Sequence, residues 1–158
     1  MYKILKKQKL NPTVTLMEIE APYVARKAEA GQFIILRVDS EGERIPLTVA
    51  GYDREAGWMR IIFQVVGATT SALDRLGVGD SIADFAGPLG KATETEGLGS
   101  VCVIGGGVGC AIALPIAEKL HAEGCRVKSV IGFRSKDLVI LENEFRAVSD
   151  ELSVFKQR

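Results

Sequence analysis

The chain has 158 residues, of which 47% are hydrophobic and 25% are charged, and its 20 basic side chains balance its 20 acidic ones. This composition is typical of a globular protein with one ordinary domain or two small ones. A net charge of zero argues against a nucleic-acid binder, which normally carries a basic excess. No apolar run reaches the roughly 18 residues of a membrane-spanning helix, so we expect no membrane span.

Cysteine and histidine usage excludes several kinds of site. Cys102, Cys110 and Cys125 are widely spaced and form no Cys-x-x-Cys pair. The sequence therefore predicts neither a disulfide framework nor a metal site in this chain. The only histidine, His121, falls among charged residues late in a helical segment, where a surface position is expected. Without a signal-peptide core, and with reduced cysteines, the protein is expected in the cytoplasm.

The first ninety or so residues alternate between short strand patterns and turn signals. The predicted strands are 2–10, 13–19, 33–38, 44–50, 58–66 and 81–86, with a polar connection at 24–30 and a short helix at 72–76. Strands 2–10 and 13–19 read as an antiparallel pair, and Pro46 marks 44–50 as edge-like. About six strands at regular spacing are typical of a small antiparallel β-barrel.

The pattern changes after a polar linker at 91–99. Strands at 101–104, 127–132 and 152–155 alternate with helices at 111–122 and 136–147. This order predicts a parallel sheet with right-handed crossovers. A doubly wound nucleotide domain usually carries five or six strands. We therefore expect two domains, a β-barrel at 1–92 and a Rossmann-like α/β domain at 99–158 that is truncated after three strands.

A glycine-rich turn connects the first strand of the second domain to its first helix. It consists of Gly105, Gly106, Gly107, Val108, Gly109 and Cys110. Glycine lets the backbone turn tightly and approach a ligand, and the following helix points its free N–H groups and positive dipole end at the turn. The pattern predicts a cradle for a nucleotide diphosphate. Close packing of a strand and a helix is an alternative explanation that needs no ligand.

A second candidate cradle lies in the first domain at 67–71, again between a strand and a short helix. Thr70 and Ser71 stand where an N-cap hydroxyl belongs, and backbone N–H groups there would face a diphosphate. A plain helix cap explains the same residues. Arg44, a fixed cation on an earlier strand, favours the phosphate interpretation.

The segment around Pro46 offers further contacts to a ligand. Pro46 weakens the hydrogen bonding between strands and leaves neighbouring backbone groups free to contact a ligand. A bulged edge strand is the alternative explanation, and it needs no ligand. Leu47 offers an apolar face to a flat ring, and Thr48 offers a hydroxyl. No set of side chains resembles a nucleophile with its base, so a cofactor would carry any chemistry.

Five motifs in this order resemble the ferredoxin–NADP reductase superfamily. They are RIPLTVA (44–50), FQVVG (63–67), DFAGPLGK (84–91), IGGGVG (104–109) and KDLVILE (136–142). Within the superfamily the chain is most similar to the small (alpha) subunit of NADH-dependent ferredoxin–NADP oxidoreductase, also known as the sulfide dehydrogenase small subunit. The resemblance covers essentially the whole chain.

The resemblance implies FAD in the first domain and NAD(P)H in the second. The resemblance and the turn and strand features described above together give the candidate FAD-binding residues, which are Arg44, Pro46, Leu47, Thr48, Gly67, Thr70 and Ser71. The candidate NAD(P)H-binding residues are Gly105, Gly106, Gly107, Val108, Gly109, Cys110 and Arg134. Thr48 would approach the flavin N5 edge, and no side chain would be catalytic. The implied activity is hydride transfer between nicotinamide and flavin, with electrons passed to a larger glutamate-synthase-like flavoprotein/iron–sulfur subunit and, through the complex, to ferredoxin.

Several positions depart from the family pattern. Leu47 replaces the usual aromatic residue, Arg44 lies one residue further upstream, and Cys110 replaces a final glycine. Arg134 and its neighbours suit a 2′-phosphate, whereas the family's small subunit is associated with NAD(H), so both nucleotides stay open. The family also binds a [2Fe–2S] cluster through a cysteine-rich segment, and its ligands are not present in this chain.

Two other functions remain as alternatives. The electron-transfer subunit of dihydroorotate dehydrogenase shares the layout, although its flavin strand typically reads R-P-I-S. A non-catalytic flavin- or nucleotide-binding module that only docks to a partner is the second.

Overall fold

The computed structural model describes residues 1–157, so Arg158, the last residue of the predicted second domain, lies outside the described residues. Internal contacts divide the chain into two compact units, Met1–Ala92 (unit 1) and Thr93–Arg158 (unit 2). Unit 1 is built from antiparallel strands, and unit 2 from alternating strands and helices.

Unit 1 contains two antiparallel sheets and two short helices. Its strands are β1 (Tyr2–Asn11), β2 (Val14–Glu20), β3 (Phe33–Arg37), β4 (Arg44–Thr48), β5 (Gly51–Asp53), β6 (Trp58–Gln64), β7 (Ser81–Ile82) and β8 (Asp84–Leu89). Its helices are α1 (Pro22–Lys27) and α2 (Ala68–Asp74). The sheets have the orders β5-β6-β2-β1-β7 and β4-β3-β8. The antiparallel pairing of β1 with β2 and the edge position of β4 are confirmed.

Three predictions for unit 1 need correction. The six-stranded barrel is not confirmed, because the predicted strand at 81–86 divides at Ala83 between the two sheets and 44–50 ends at Thr48. The polar connection at 24–30 contains helix α1, since Pro22 suits a first helical turn and Val24 and Ala25 are buried. The helix predicted at 72–76 begins four residues earlier, at Ala68.

Asp74, the last residue of α2, ties this helix to the five-stranded sheet. Its carboxylate accepts hydrogen bonds from Thr15 Oγ1 at 2.6 Å and from Lys9 Nζ at 3.1 Å. Lys7 Nζ donates to the carbonyl oxygens of Asp74 and Leu76, which caps the C-terminal end of the helix. The Thr15 bond is the largest cause that lowers the pKa of Asp74 below its ordinary value of 3.8. We call these contacts the Asp74 anchor. The anchor holds α2 on the sheet and so fixes the position of the N-terminal end of the helix.

Unit 2 is a parallel α/β arrangement. Strands β9 (Ser100–Gly106), β10 (Arg126–Phe133) and β11 (Glu151–Lys156) form a sheet of order β11-β10-β9, with helices α3 (Cys110–Ala122) and α4 (Glu142–Val148) between them. The predicted βαβαβ order and the parallel pairing are confirmed. The helix predicted at 136–147 is instead a 3₁₀ turn, Lys136–Leu138, followed by α4, because Leu141 takes a left-handed conformation with φ of 61° between them.

Gly105 and Cys110 show how closely α3 packs on β9. A Cβ atom added at Gly105 would lie 3.1 Å from both the Cα and the Sγ atoms of Cys110. Close packing therefore favours glycine here, which is one of the two explanations open for the turn. Cys110 is fully buried, and burial raises the pKa of its thiol to about 11.

We expect Asp74→Asn to lower the free energy of unfolding by about 2 kcal/mol at neutral pH, because charge-assisted hydrogen bonds from Thr15 and Lys9 are weakened. Since the pKa of Asp74 is lowered in the folded state, its stabilisation is present above the ordinary value of 3.8 and is lost as the pH falls. Urea unfolding between pH 7 and about pH 2, a range that extends below the ordinary pKa of the carboxyl group, measures both effects. Glu55→Gln, at an exposed position, serves as the control. If the difference in unfolding free energy between wild type and Asp74→Asn grew on acidification, the role assigned to Asp74 would be contradicted.

Thiol labelling should separate the cysteines of the folded protein. Cys102 is exposed, whereas Cys110 and Cys125 are buried. Because the thiolate is the reactive form, we expect iodoacetamide at pH 8 to modify Cys102 readily and Cys110 only after unfolding in denaturant. Mass spectrometry of the digested protein gives the order of labelling. Rapid labelling of Cys110 in the native chain would show that its burial has been described wrongly.

Candidate functional site

The first turn of α2 is held by Thr70. The hydroxyl of Thr70 accepts hydrogen bonds from the backbone N–H groups of Val66 and Gly67, at 2.9 and 3.0 Å, and donates to the Gly67 carbonyl at 3.2 Å. Gly67 is the N-cap residue, so Thr70 occupies the third helical position rather than the cap position expected from the sequence. Its hydroxyl is used to shape the turn.

Gly67 lies at the open side of this turn. A Cβ atom added there would meet no described atom within 4 Å, and its φ of −164° is extended backbone that any residue adopts. Neither packing nor conformation within the described residues therefore requires a glycine. The N–H groups of the first helical turn have no partner four residues back. Ser71, half-buried, donates its own N–H to the Gly67 carbonyl.

Strand β4 presents two different faces. Ile45 and Leu47 pack against the core of unit 1, and Leu47 keeps part of its side chain exposed. Because strand side chains alternate, Arg44, Pro46 and Thr48 lie on the opposite face. The free edge of β4 carries Pro46, which has no N–H to pair.

A charged row crosses the three-stranded sheet at the beginning of β4. Arg44 and Asp84 are both register partners of Arg37 on the central strand. Asp84 Oδ2 lies 2.6 Å from an Arg37 nitrogen and 3.6 Å from an Arg44 nitrogen. Arg37 Nε is buried and forms no hydrogen bond with any described residue, whereas the buried Asp84 Oδ2 is held by the ion pair with Arg37. Two cations therefore share one carboxylate, and 62% of the Arg44 side chain remains exposed.

A cavity of about 350 Å³ joins the β3–β4 connection to the first turn of α2. Its lining residues are Val38, Asp39, Glu41, Gly42, Glu43, Ala68, Thr69 and Ala72. The cavity brings the residue before Arg44 close to the helix that follows Gly67. Its three acidic residues suit hydroxyl or amino groups, which donate hydrogen bonds, better than phosphate.

Thr69 and Arg37 were not expected from the sequence. Gly67 is the N-cap, so the hydroxyl of Thr70, at the third helical position, bonds back to the turn, and Thr69 lines the cavity. Only half of a capping box forms, because Gly67 has no side chain to return the bond, so no sequence motif marks this arrangement. Arg37 follows a regular strand pattern, and its partners become visible only from the register of β3.

In unit 2 the glycine-rich turn lies at the carboxyl end of β9. Gly107–Gly109 forms a 3₁₀ turn that leads into α3, and no side chain caps the start of that helix. Cβ atoms added at Gly106, Gly107 or Gly109 would meet no described atom within 4 Å, although the φ of Gly107, +55°, favours glycine for conformational reasons. Gly106 and Gly109 therefore have no packing role within the described chain. Val108, between them, is half-buried.

Arg134 lies at the same edge of the sheet as this turn. Gly106 pairs with Gly132, and Arg134 follows Gly132 by two residues at the end of β10. Arg134 and Lys136 are exposed, and Asp137 accepts a hydrogen bond from Ser135. The structure thus brings together the turn and the cation that the sequence predicts for one nucleotide site.

Metal ligands are not gathered anywhere in residues 1–157. No group of three or more histidine, cysteine, aspartate or glutamate side chains there could hold a metal ion. One exposed and two buried cysteines do not fit an iron–sulfur cluster. No helix within the same residues is long and apolar enough to cross a membrane.

Comparison with known proteins shows close relatives. No protein-family model matches the chain. It is 43% identical over 152 residues to the dihydroorotate dehydrogenase B (NAD(+)) electron transfer subunit homolog of Thermotoga maritima, covering 96% of this chain and 54% of that protein. It is 31% identical to the dihydroorotate dehydrogenase B (NAD(+)) electron transfer subunit of Streptococcus pneumoniae R6, covering 90% and 57%.

Solved structures agree with this relationship. The structure of NADH-dependent reduced ferredoxin–NADP oxidoreductase is 42% identical, with a TM-score of 0.92 over 99% of this chain and 59% of that one. Phthalate dioxygenase reductase, 20% identical with a TM-score of 0.80, shares the fold. The chain spans about half the length of the curated relatives it matches. By these similarities the chain belongs to the ferredoxin–NADP reductase superfamily.

Proposed function

We propose that the protein is a flavoprotein electron-transfer subunit that exchanges electrons between NAD(P)H and a partner through FAD. The observation that carries the proposal is the pair of open glycine turns, one in each unit, each directly after a strand and before a helix. Gly67, Gly106 and Gly109 have room for a Cβ atom and an unstrained backbone, so neither packing nor conformation requires glycine there, and each turn leaves its backbone open to a ligand.

In unit 1 we assign FAD to the surface formed by β4 and the first turn of α2. The free N–H groups after Gly67 would bind the diphosphate, while Thr70 holds the turn in shape and Ser71 completes it. Arg44, exposed and only loosely paired with Asp84, can reach a phosphate. Hydroxyl groups of the cofactor suit the acidic cavity beside Thr69.

The flavin ring is assigned to the other end of β4. Thr48 would place its hydroxyl near the N5 edge, and Pro46 leaves backbone free beside it. Leu47 would meet the ring with the part of its side chain that the core does not cover. These residues position the ring and exclude water, and none of them acts as an acid or base.

In unit 2 we assign the pyridine nucleotide to the turn from Gly105 to Cys110. The uncapped start of α3 offers backbone N–H groups to a diphosphate. Cys110 closes the packing beneath the turn and takes no part in chemistry, since its thiol is buried. Arg134 and Lys136 would meet the ribose end, and their charge suits a 2′-phosphate.

FAD bound in unit 1 would supply the conversion of a hydride from nicotinamide into single electrons. Two partners are proposed for those electrons. The 42% identity to NADH-dependent reduced ferredoxin–NADP oxidoreductase supports ferredoxin as the final acceptor. The sequence resemblance alone implies a glutamate-synthase-like subunit as the partner that passes electrons to it. The 43% identity to the Thermotoga maritima homolog supports a dihydroorotate dehydrogenase catalytic subunit equally well. Three free cysteines agree with a cytoplasmic location.

Flavin binding is the first test. We expect the purified protein to be yellow with FAD, and FAD at 100 times its dissociation constant to raise the free energy of unfolding by about 2.7 kcal/mol. Gly67→Ala should raise the FAD dissociation constant about tenfold, a loss of roughly 1.4 kcal/mol. Because alanine is a poorer N-cap than glycine, the stability of the free chain should fall by about 1 kcal/mol or less. Gly99→Ala, equally open, is the matched control. A colourless protein that FAD does not stabilise would overturn the proposal.

Reduction by nicotinamide separates an electron-transfer protein from a binding module. Under anaerobic conditions, NADH or NADPH should bleach the flavin absorbance of the loaded protein, and Gly106→Ala should slow bleaching because its Cβ occupies the approach to the turn. If the nucleotide is NADPH, Arg134→Ala should weaken NADPH binding about tenfold and leave NADH unaffected. Bound FAD that neither nucleotide reduces would identify a non-catalytic flavin module.

A further inference from the structure

Arg37 lies in the middle of the charged row of unit 1 and is held more firmly than Arg44. It belongs to β3, the central strand, and is paired in register with Arg44 on one side and Asp84 on the other. Arg44 is the first residue of the edge strand β4. The Arg37 side chain is 25% exposed, whereas that of Arg44 is 62% exposed. Because burial restricts rotamers, Arg44 keeps more conformational freedom than Arg37.

The two arginines compete for one oxygen atom. Nη2 of Arg37 lies 2.6 Å from Asp84 Oδ2, and Nη2 of Arg44 lies 3.6 Å from the same atom. A charge-assisted hydrogen bond from nitrogen to oxygen is at most about 2.9 Å long, so Arg37 makes the close contact and Arg44 stays outside that range. The carboxylate that could neutralise Arg44 is therefore occupied by Arg37.

The balance of charge in the row leaves one cation available to a ligand. Two guanidinium groups and one carboxylate leave a single positive charge in excess. An exposed ion pair as long as that between Arg44 and Asp84 contributes little to stability. The excess charge is therefore carried by the side chain that is more exposed and less firmly bound, which is Arg44.

We propose that Arg37 is a positioning residue for Arg44: by occupying Asp84, it keeps Arg44 free to bind the FAD diphosphate. The inference rests on the proposed function, in which Arg44 meets that diphosphate. The row lies beside the cavity that reaches the first turn of α2, because Val38 and Glu43, the chain neighbours of Arg37 and Arg44, both line it. Arg37 acts only through Asp84.

Titration of the full chain with FAD tests this role through two substitutions with opposing effects. Arg37→Met leaves Asp84 to attract Arg44 without a competitor. The FAD dissociation constant should then rise about tenfold, as expected for the loss of one charged contact to a phosphate. Adding Asp84→Asn to Arg37→Met releases Arg44 and should restore the wild-type affinity. If the row only supported the fold, the second substitution would weaken binding further.

Two single substitutions keep the test decisive if Arg37→Met does not fold. Arg37→Lys keeps a cation beside Asp84, so its FAD affinity should stay close to that of wild type. Asp84→Asn should bind FAD at least as tightly as wild type, because Arg44 loses its competing partner. Salt gives a further readout, since exposed charge contacts are screened at about 1 M salt. Under that condition the FAD affinities of wild type and Arg37→Met should converge.

Arg146→Met is the matched control, because Arg146 is also 62% exposed and lies 3.9 Å from one carboxylate, that of Glu142 in unit 2. Circular dichroism and thermal unfolding without FAD show whether each variant is folded. Unchanged FAD affinity in Arg37→Met, no recovery in the double variant, or weaker binding by Asp84→Asn would each overturn the inference while the proposed function stands. A wild-type chain that binds no FAD would overturn both.

Discussion

The two candidate sites depend on one constraint, that a helix begins directly after a strand and leaves its first N–H groups without partners. In unit 1 Thr70 satisfies part of this need by accepting two N–H groups from the residues just before α2. In unit 2 no side chain caps α3 at all. Both helices are fixed elsewhere, α2 by the Asp74 anchor and α3 by its close packing on Gly105. The first turns of both helices are therefore fixed in position, as the proposed anion sites require.

The glycines around these helices have different physical causes. Gly105 is favoured by packing, because a Cβ atom there would lie only 3.1 Å from the Cα atom of Cys110. Gly107 serves the backbone, which turns through a positive φ. Gly67, Gly106 and Gly109 have neither cause within the described chain, and they lie where a diphosphate is proposed to bind. The close-packing explanation of the unit 2 turn is thus correct for one of its residues and insufficient for the others.

The charged groups of unit 1 also differ in how completely their charges are balanced by neighbouring residues. Arg60 places two nitrogens on one Glu18 oxygen, at 2.7 and 3.2 Å, and stacks over the Trp58 ring, so this pair is satisfied internally. The row formed by Arg37, Arg44 and Asp84 has one more cation than anion and leaves the buried Arg37 Nε without a hydrogen bond. An internally satisfied pair supports the fold, whereas an unbalanced row with an exposed arginine can respond to an anion.

The sequence by itself determined the order of the elements and the family. Alternating patterns, β-branched runs and turn residues predicted the β1–β2 pair and the βαβαβ order of unit 2, because those features arise from local periodicity. Tertiary structure decided what periodicity does not encode. It divided residues 81–86 between two sheets, started α2 at Ala68 and put Thr70 at the third helical position, since these outcomes depend on contacts with distant parts of the chain. It also placed Thr69 at the cavity and Arg37 beside Arg44. Those positions follow from strand register and helix packing, which join residues far apart in the chain and leave no signal at either position alone.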